Sequence, residues 1–173
     1  MAILLTAAFV ITAAGQAKNC DDLQQSTDKR IAQMNEPFPR QDYSRIVFRS
    51  VKELLDTCPN VANTPAYKAQ MSEAGERFAD HSLLIADYYA ERSFKGNGGF
   101  KGAEARLKEL INEVPTYSRM DSVLFLLGRL YLRARQLDDA AQCFSTLVAK
   151  YPSSSLSVLA YKNLDRVSRV RVQ

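Results

Sequence analysis

Beyond residue 40 the apolar side chains recur every three to four positions and do not alternate, which is the spacing of helix faces rather than of strands. Ile46, Val47, Val51, Leu54 and Leu55 make one stripe, and Cys58-Pro59 ends it. Thr64-Pro65 reads as an N-cap followed by a first-turn proline, and the helical pattern then runs to about Phe94. The glycine-rich run at residues 95–99, KGNGG, breaks it. Further helices are predicted at roughly 100–114, 118–134, 137–151 and 155–170, with links of two to four residues that force neighbours to run antiparallel. Residues 21–40, interrupted by Pro37 and Pro39, predict a short helix and then an extended lead-in. The expectation is an all-α chain.

Three of these segments end alike. Leu54-Leu55 precedes Pro59, Leu110-Ile111 precedes Pro115, and Leu147-Val148 precedes Pro152, each with three residues between. Residues 121–152 carry a fuller pattern, with Leu124, Leu127-Gly128 and Tyr131 on one helix, Ala140 and Phe144 on the next, and Pro152 as the close. Gly128 and Ala140 are small where two helices would cross, so that their axes can approach. Tyr131 and Phe144 fill the space beside that crossing, and Pro152 ends the second helix because it cannot continue the hydrogen-bond ladder. This pattern resembles a tetratricopeptide repeat, a helix pair that stacks into an α-solenoid. Residues 81–115 resemble a looser copy, with Ala86, Tyr89, Ala103, Leu107 and Pro115 at the corresponding positions and KGNGG as an insertion between the helices. Residues 41–59 resemble a second helix alone, with Val51, Leu54 and Pro59, and Val47 at the small position.

Across residues 75–165 the chain further resembles the BamD-like and YbgF-like branch of these repeats. The likeness lies in Asp87-Tyr88-Tyr89, in Pro115-Thr116-Tyr117-Ser118 before the next helix, and in the Tyr151-Pro152-Ser153-Ser154 close. The resemblance implies a cell-envelope scaffold without catalysis, either an accessory of outer-membrane protein assembly or a periplasmic adaptor in envelope constriction or peptidoglycan processes. Its implied partners are other cell-envelope proteins, the β-barrel assembly machinery among them, with peripheral membrane association and no nucleic acid. A structural, self-associating subunit is the remaining reading of the helical faces.

The N-terminus bears on location. Residues 1–17 hold no charged side chain, and an apolar run from Ala2 to Ala14 is too short to span a bilayer. It closes on Gly15-Gln16-Ala17, a small-x-small pattern, so residues 1–17 read as an export signal. The expected organisation is thus a signal at 1–17, a lead-in at 18–40 and a repeat domain at 41–173, acting in the periplasm or at the periplasmic face of the outer membrane. In that setting Cys20 and Cys58 can pair as a disulfide, Cys20 can carry a lipid, or both can remain thiols. Cys143 falls in a helical pattern as a small core residue.

Charge and chemistry narrow the reading further. Residues 116–173 carry nine Lys/Arg against four Asp/Glu, whereas residues 1–115 carry fourteen against fifteen. The basic half suits an acidic partner or anionic headgroups, or simply solvates the surface. His81 is the one histidine, and alone it makes neither a metal site nor a catalytic triad. KGNGG has neither the phosphate-loop spacing nor a preceding strand. No cofactor, metal or catalytic residue is expected. What remains is a surface: the first helices of each pair would line a groove with Leu83, Asp87 and Glu91, then Phe125, Arg129 and Arg133, then Asn163 and Arg166. Arg129 and Arg133 stand one turn apart and can grip a carboxylate together, or can pair with Asp87 and Glu91.

Overall fold

The computed structural model describes residues 5–36 and 43–172, with side chains described over 19–36 and 43–170. Among these residues there are seven helices and no strand: α1 (Leu5–Met34), α2 (Tyr43–Thr57), α3 (Thr64–Phe94), α4 (Phe100–Glu113), α5 (Met120–Arg133), α6 (Leu137–Lys150) and α7 (Ser157–Val172). The all-α expectation holds, and adjacent helices pack in pairs as a short repeat solenoid requires. The expected export signal lies outside the described side chains, as do Pro37 and Pro39 of the expected lead-in. No helix of the described residues is long and apolar enough to cross a membrane. The chain divides within α3 into two compact units, residues 1–78 and 79–173.

The three prolines share one backbone construction. Each closing residue donates its N–H to a leucine four residues back: Cys58 to Leu54 at 2.8 Å, Val114 to Leu110 at 3.0 Å, and Tyr151 to Leu147 at 2.8 Å. Those three leucines are fully buried. The following proline crowds the closing residue out of the helical region, and Val114 and Tyr151 accordingly adopt φ −127° and −129°. The carbonyl of each closing residue then accepts from the residue three further on, at Val61, Tyr117 and Ser154. A second step of three follows. Tyr117 O accepts from Met120 N and Ser154 O from Ser157 N, while Val61 O accepts from the hydroxyl of Thr64. Thr64, Met120 and Ser157 are the first residues of α3, α5 and α7. Each link is therefore a two-step stair of identical length, with proline at the second position of its first turn. Thr64 was expected to cap α3; instead Asn63 takes that place, at φ 60°, its carbonyl accepting from Ala66 N.

In the first unit α1 packs on α2, and the short helix expected beyond residue 20 forms the latter part of α1. Cys20 of α1 and Cys58 at the end of α2 are joined by a disulfide with Cα atoms 5.9 Å apart. The hydroxyl of Tyr67 donates to Asp28 Oδ1 at 2.6 Å, and that of Tyr43 to Gln33 Oε1 at 3.0 Å. α2 buries Val47, Phe48, Val51 and Leu54, but Ile46, expected in the stripe, is 40% exposed. Phe48 takes the inward edge because Phe78 of α3 lies against it, with ring centroids 6.3 Å apart.

In the second unit α5 packs against α4 and α6, and α6 against α7. Leu124, Leu127, Ala140 and Phe144 are buried as the repeat pattern requires. A Cβ added at Gly128 would stand 2.7 Å from Phe144 Cε1, so only glycine admits the ring. Tyr131 is buried, its hydroxyl donating to Glu104 Oε1 at 3.1 Å and its ring beside Phe100. Tyr89 departs from expectation. Assigned as the counterpart of Tyr131, it is 37% exposed, and its ring covers Gly102 of α4, where a Cβ would meet it at 3.3 Å. The ring sits on the first helix and the glycine on the second, the reverse of Phe144 and Gly128. Ala86, Ala103 and Leu107 are nonetheless fully buried.

The two inter-helix turns of this unit are also related. After α3, Asn97 N donates to Arg92 O at 2.9 Å and Gly96 N to Ser93 O at 3.0 Å, with Gly96 at φ 78°. After α5, Gln136 N donates to Tyr131 O at 2.9 Å and Arg135 N to Leu132 O at 3.3 Å, with Arg135 at φ 60°. Both are Schellman closures. One has glycine in the left-handed position and the other an arginine.

Two outcomes follow from this packing. Gly128→Ala gains about 1 kcal/mol of helix propensity but overpacks against the Phe144 ring at a cost of about 1–3 kcal/mol. The expected net is a lowered Tm, recovered in part when Phe144→Leu is added. Replacing Cys20 and Cys58 by serine is expected to remove about 3–4 kcal/mol in the chain-entropy model, given their separation of 38 residues. Denaturant unfolding with and without reductant measures this, and reductant should leave the double-serine variant unchanged.

Candidate partner-binding groove

Helical spacing builds this surface from three helices of the second unit. On α5, Phe125, Arg129 and Arg133 follow one another at intervals of four residues, so they share one face. On α7, Asn163, Arg166 and Val170 do the same at intervals of three and four. Two adjoining clefts result. The first, of about 330 Å³, is lined by Asp80, Leu83 and Asp87 of α3, by Phe125, Leu126 and Arg129 of α5, and by Arg119, Ser122, Leu84 and Leu156. The second, of about 470 Å³, is lined by Phe94, Arg129, Leu132 and Arg133, by Arg135 and Leu137 of the following turn, and by Asn163, Arg166 and Val170 of α7. Arg129 belongs to both.

Of the eight groove residues chosen from the sequence, seven line these clefts. Glu91 does not; it pairs with Lys95 at 3.2 Å on the surface. Arg129 and Arg133 do not pair with Asp87 or Glu91, since no ion pair joins them among the described residues. Both are instead fixed by one residue at the end of α3. The Arg129 guanidinium lies 4.7 Å from the Phe94 ring centroid, and Arg133 Nη2 donates to Phe94 O at 3.4 Å. A cation held on an aromatic face keeps its N–H edges available to a ligand. Phe125 is anchored edge-on against Phe144, with centroids 5.9 Å apart. Asn163 donates Nδ2 to Leu159 O at 2.8 Å.

Arg135 was missed, as were Phe94, Leu132, Leu137 and Val170. Arg135 lies outside the helix period, and only the recurrence Arg129, Arg133, Arg135 in the sequence signals it. The second cleft therefore holds four arginines and no acidic residue. In the first cleft Asp80 faces Arg119 at 3.7 Å and accepts the Tyr117 hydroxyl at 2.6 Å, which fixes that rim to the link ahead of α5. Ser154 does the same one repeat later, its hydroxyl donating to Asp121 Oδ2 at 2.5 Å.

Groups that could do chemistry are placed otherwise. Cys143 is buried, and burial, with Asp139 adding to it, pushes its thiol up to about 11, too high for a ready nucleophile. Among the described residues no cluster of His, Cys, Asp and Glu could hold a metal ion. Glu104, nearly buried on α4, is held below the usual carboxylate range chiefly by the hydrogen bond from Lys108 at 2.9 Å. Lys101 and the Tyr131 hydroxyl add to this, while burial opposes it. The same bond raises the Lys108 ammonium.

Compared with known families, residues 122–154 match the tetratricopeptide repeat, one or two residues from the unit marked out by Leu124 and Pro152. No curated protein matches the chain. The chain thus contains a tetratricopeptide repeat, a unit whose general work is to hold other proteins.

Because Glu104 has its pKa lowered on folding, it contributes stability above the unfolded carboxyl pKa of about 4.3, and that contribution is lost as pH falls through the lower, folded value. Thermal melts of the wild type should therefore lose stability below about pH 4.5 more steeply than those of Glu104→Gln. The variant should also be less stable at neutral pH by about 1–3 kcal/mol, having lost a charge-assisted bond beside a buried hydroxyl.

Proposed function

We propose that this protein is an exported, non-enzymatic scaffold of the bacterial cell envelope that holds a partner protein in the groove of α3, α5 and α7. The observation that carries the reading is the groove itself: two adjoining clefts on the faces of successive first helices, with Arg129 and Arg133 fixed by Phe94 rather than neutralised by acids. Side chains held in place before binding lose less entropy when a ligand arrives. The envelope setting is supported by the apolar stretch ending at Gly15-Gln16-Ala17 and by the Cys20–Cys58 disulfide, which suits an oxidising compartment. It is supported too by the likeness of residues 75–165 to BamD-like proteins, which favours an accessory role in outer-membrane protein assembly.

One observation favours a self-associating subunit. α7 leaves Val158, Leu159 and Tyr161 exposed within its first turns, an apolar patch of the kind that pairs with another surface.

Crosslinking in native envelopes, with an affinity tag after Gln173, distinguishes these readings. The expected result is capture of a β-barrel assembly protein, lost when Arg129 and Arg133 are both changed to Glu. Capture of division or peptidoglycan proteins would move the chain to the adaptor role. A product containing only this chain, abolished by Val158→Glu, would make it a structural subunit.

A further inference from the structure

The groove makes no use of KGNGG, the run that forms the turn after α3. Within it Asn97 precedes Gly98, and no other asparagine of the chain is followed by glycine. Ring closure from an asparagine side chain onto its own backbone needs that side chain free to turn. It also needs an unshielded nitrogen on the next residue, with its N–H not engaged as a donor. Asn97 is exposed, and its side-chain amide bonds to no described residue. Gly98 lies at φ 76°, and a Cβ there would meet nothing within 4 Å, so its nitrogen is open to approach. No acceptor among the described residues takes the Gly98 N–H. The fold adds what the dipeptide lacks. Asn97 N donates to Arg92 O at 2.9 Å, and Arg92 reaches back over the turn to donate Nη2 to Asn97 O at 3.5 Å. That oxygen belongs to the peptide bond whose nitrogen is Gly98's, and the two atoms share any charge left by a lost proton. Tyr88 steadies Arg92 in turn, with the guanidinium 6.0 Å from its ring centroid and Nη1 donating to its hydroxyl at 3.4 Å.

We infer that Asn97 is a site of spontaneous deamidation, in which Arg92 stabilises the reacting peptide anion. Hydroxide takes the Gly98 N–H proton, and negative charge develops on Asn97 O, where the guanidinium already stands. The Gly98 nitrogen attacks Asn97 Cγ and a C–N bond forms. The side-chain nitrogen leaves as ammonia with a proton from water, and a five-membered imide remains. Water then opens the ring. Cleavage at Cγ leaves aspartate in an ordinary backbone. Cleavage at the backbone carbonyl carbon leaves isoaspartate, whose chain runs through the former side chain. Either way one water is consumed, an amide becomes a carboxylate and ammonia, and no electron is transferred. Both products set a negative charge against Arg92, and isoaspartate also lengthens the turn by one backbone carbon. A chain that is not replaced thus gathers a covalent mark of its age, in a turn and independently of any partner.

The test ages the full chain in mildly alkaline buffer, digests it in acid and follows the peptides by mass spectrometry. An isoaspartyl methyltransferase with S-adenosylmethionine serves as the probe for isoaspartate. The expected result is a gain of about one mass unit confined to the peptide that holds Asn97, rising with hydroxide, with methyl acceptance in step. Asn97→Gln should abolish both signals, because its ring would need six members and closes far more slowly. Arg92→Met keeps the Cβ that lies beside Gly99 and removes only the guanidinium. It should slow the gain in the folded chain by about three- to fivefold. In urea, where the turn is undone, wild type and Arg92→Met should age alike. No gain at Asn97 in the wild type, or a gain that survives Asn97→Gln, would overturn the proposal. So would equal rates for folded wild type and Arg92→Met, or a difference between them that persists in urea.

Discussion

A proline ring excludes the residue before it from the helical region. In this chain that exclusion falls three times on a residue whose N–H already closes a helix onto a buried leucine. The helix cannot run on, its last bond is satisfied, and the carbonyl of the closing residue is free to start a turn. Two steps of three residues then deliver the chain to the start of the next helix, at Thr64, Met120 and Ser157 alike. The positions of α5 and α7 follow from that fixed stride, and so do the side chains they bring to the groove. The partner surface thus depends on a backbone constraint that lies outside it.

Within that frame the packing tolerates exchange. The crossing of α5 and α6 is closed by a ring on the second helix against Gly128, whereas that of α3 and α4 is closed by a ring on the first helix against Gly102. Either arrangement fills the same space, since all that is needed is one glycine opposite one aromatic face. The consequence is polar: Tyr131 is free to pack toward α4 and give its hydroxyl to Glu104, whose charge is balanced by Lys101 and Lys108. Tyr89, occupied with Gly102, stays half in solvent.

The parts of this structure legible in the sequence were those set by local chemistry. Proline placed the helix ends, apolar spacing placed the helix faces, and the face of α5 was readable because Phe125, Arg129 and Arg133 keep a helical period. Legibility failed where a side chain's role depends on what stands opposite. Tyr89 has the spacing of a core tyrosine, but Gly102 rather than a carboxylate awaits it. Ile46 and Phe48 flank the same stripe, and only Phe78 decides between them. The pairing of Glu91 with Lys95, one turn away, removed it from the groove. Arg135 escaped notice because its placement comes from a positive φ that no sequence periodicity encodes.

The hydroxyls of Tyr117 and Ser154 reach back to Asp80 and Asp121, carboxylates in the same helix pair that each link has just left. The α3–α4 and α5–α6 pairs therefore each carry this fastener within their own stretch of chain. A gene segment encoding one such stretch could be copied in frame and arrive complete, its stop, its stair and its latch together. The number of pairs is then open to change by duplication or loss, while the stride between them stays fixed.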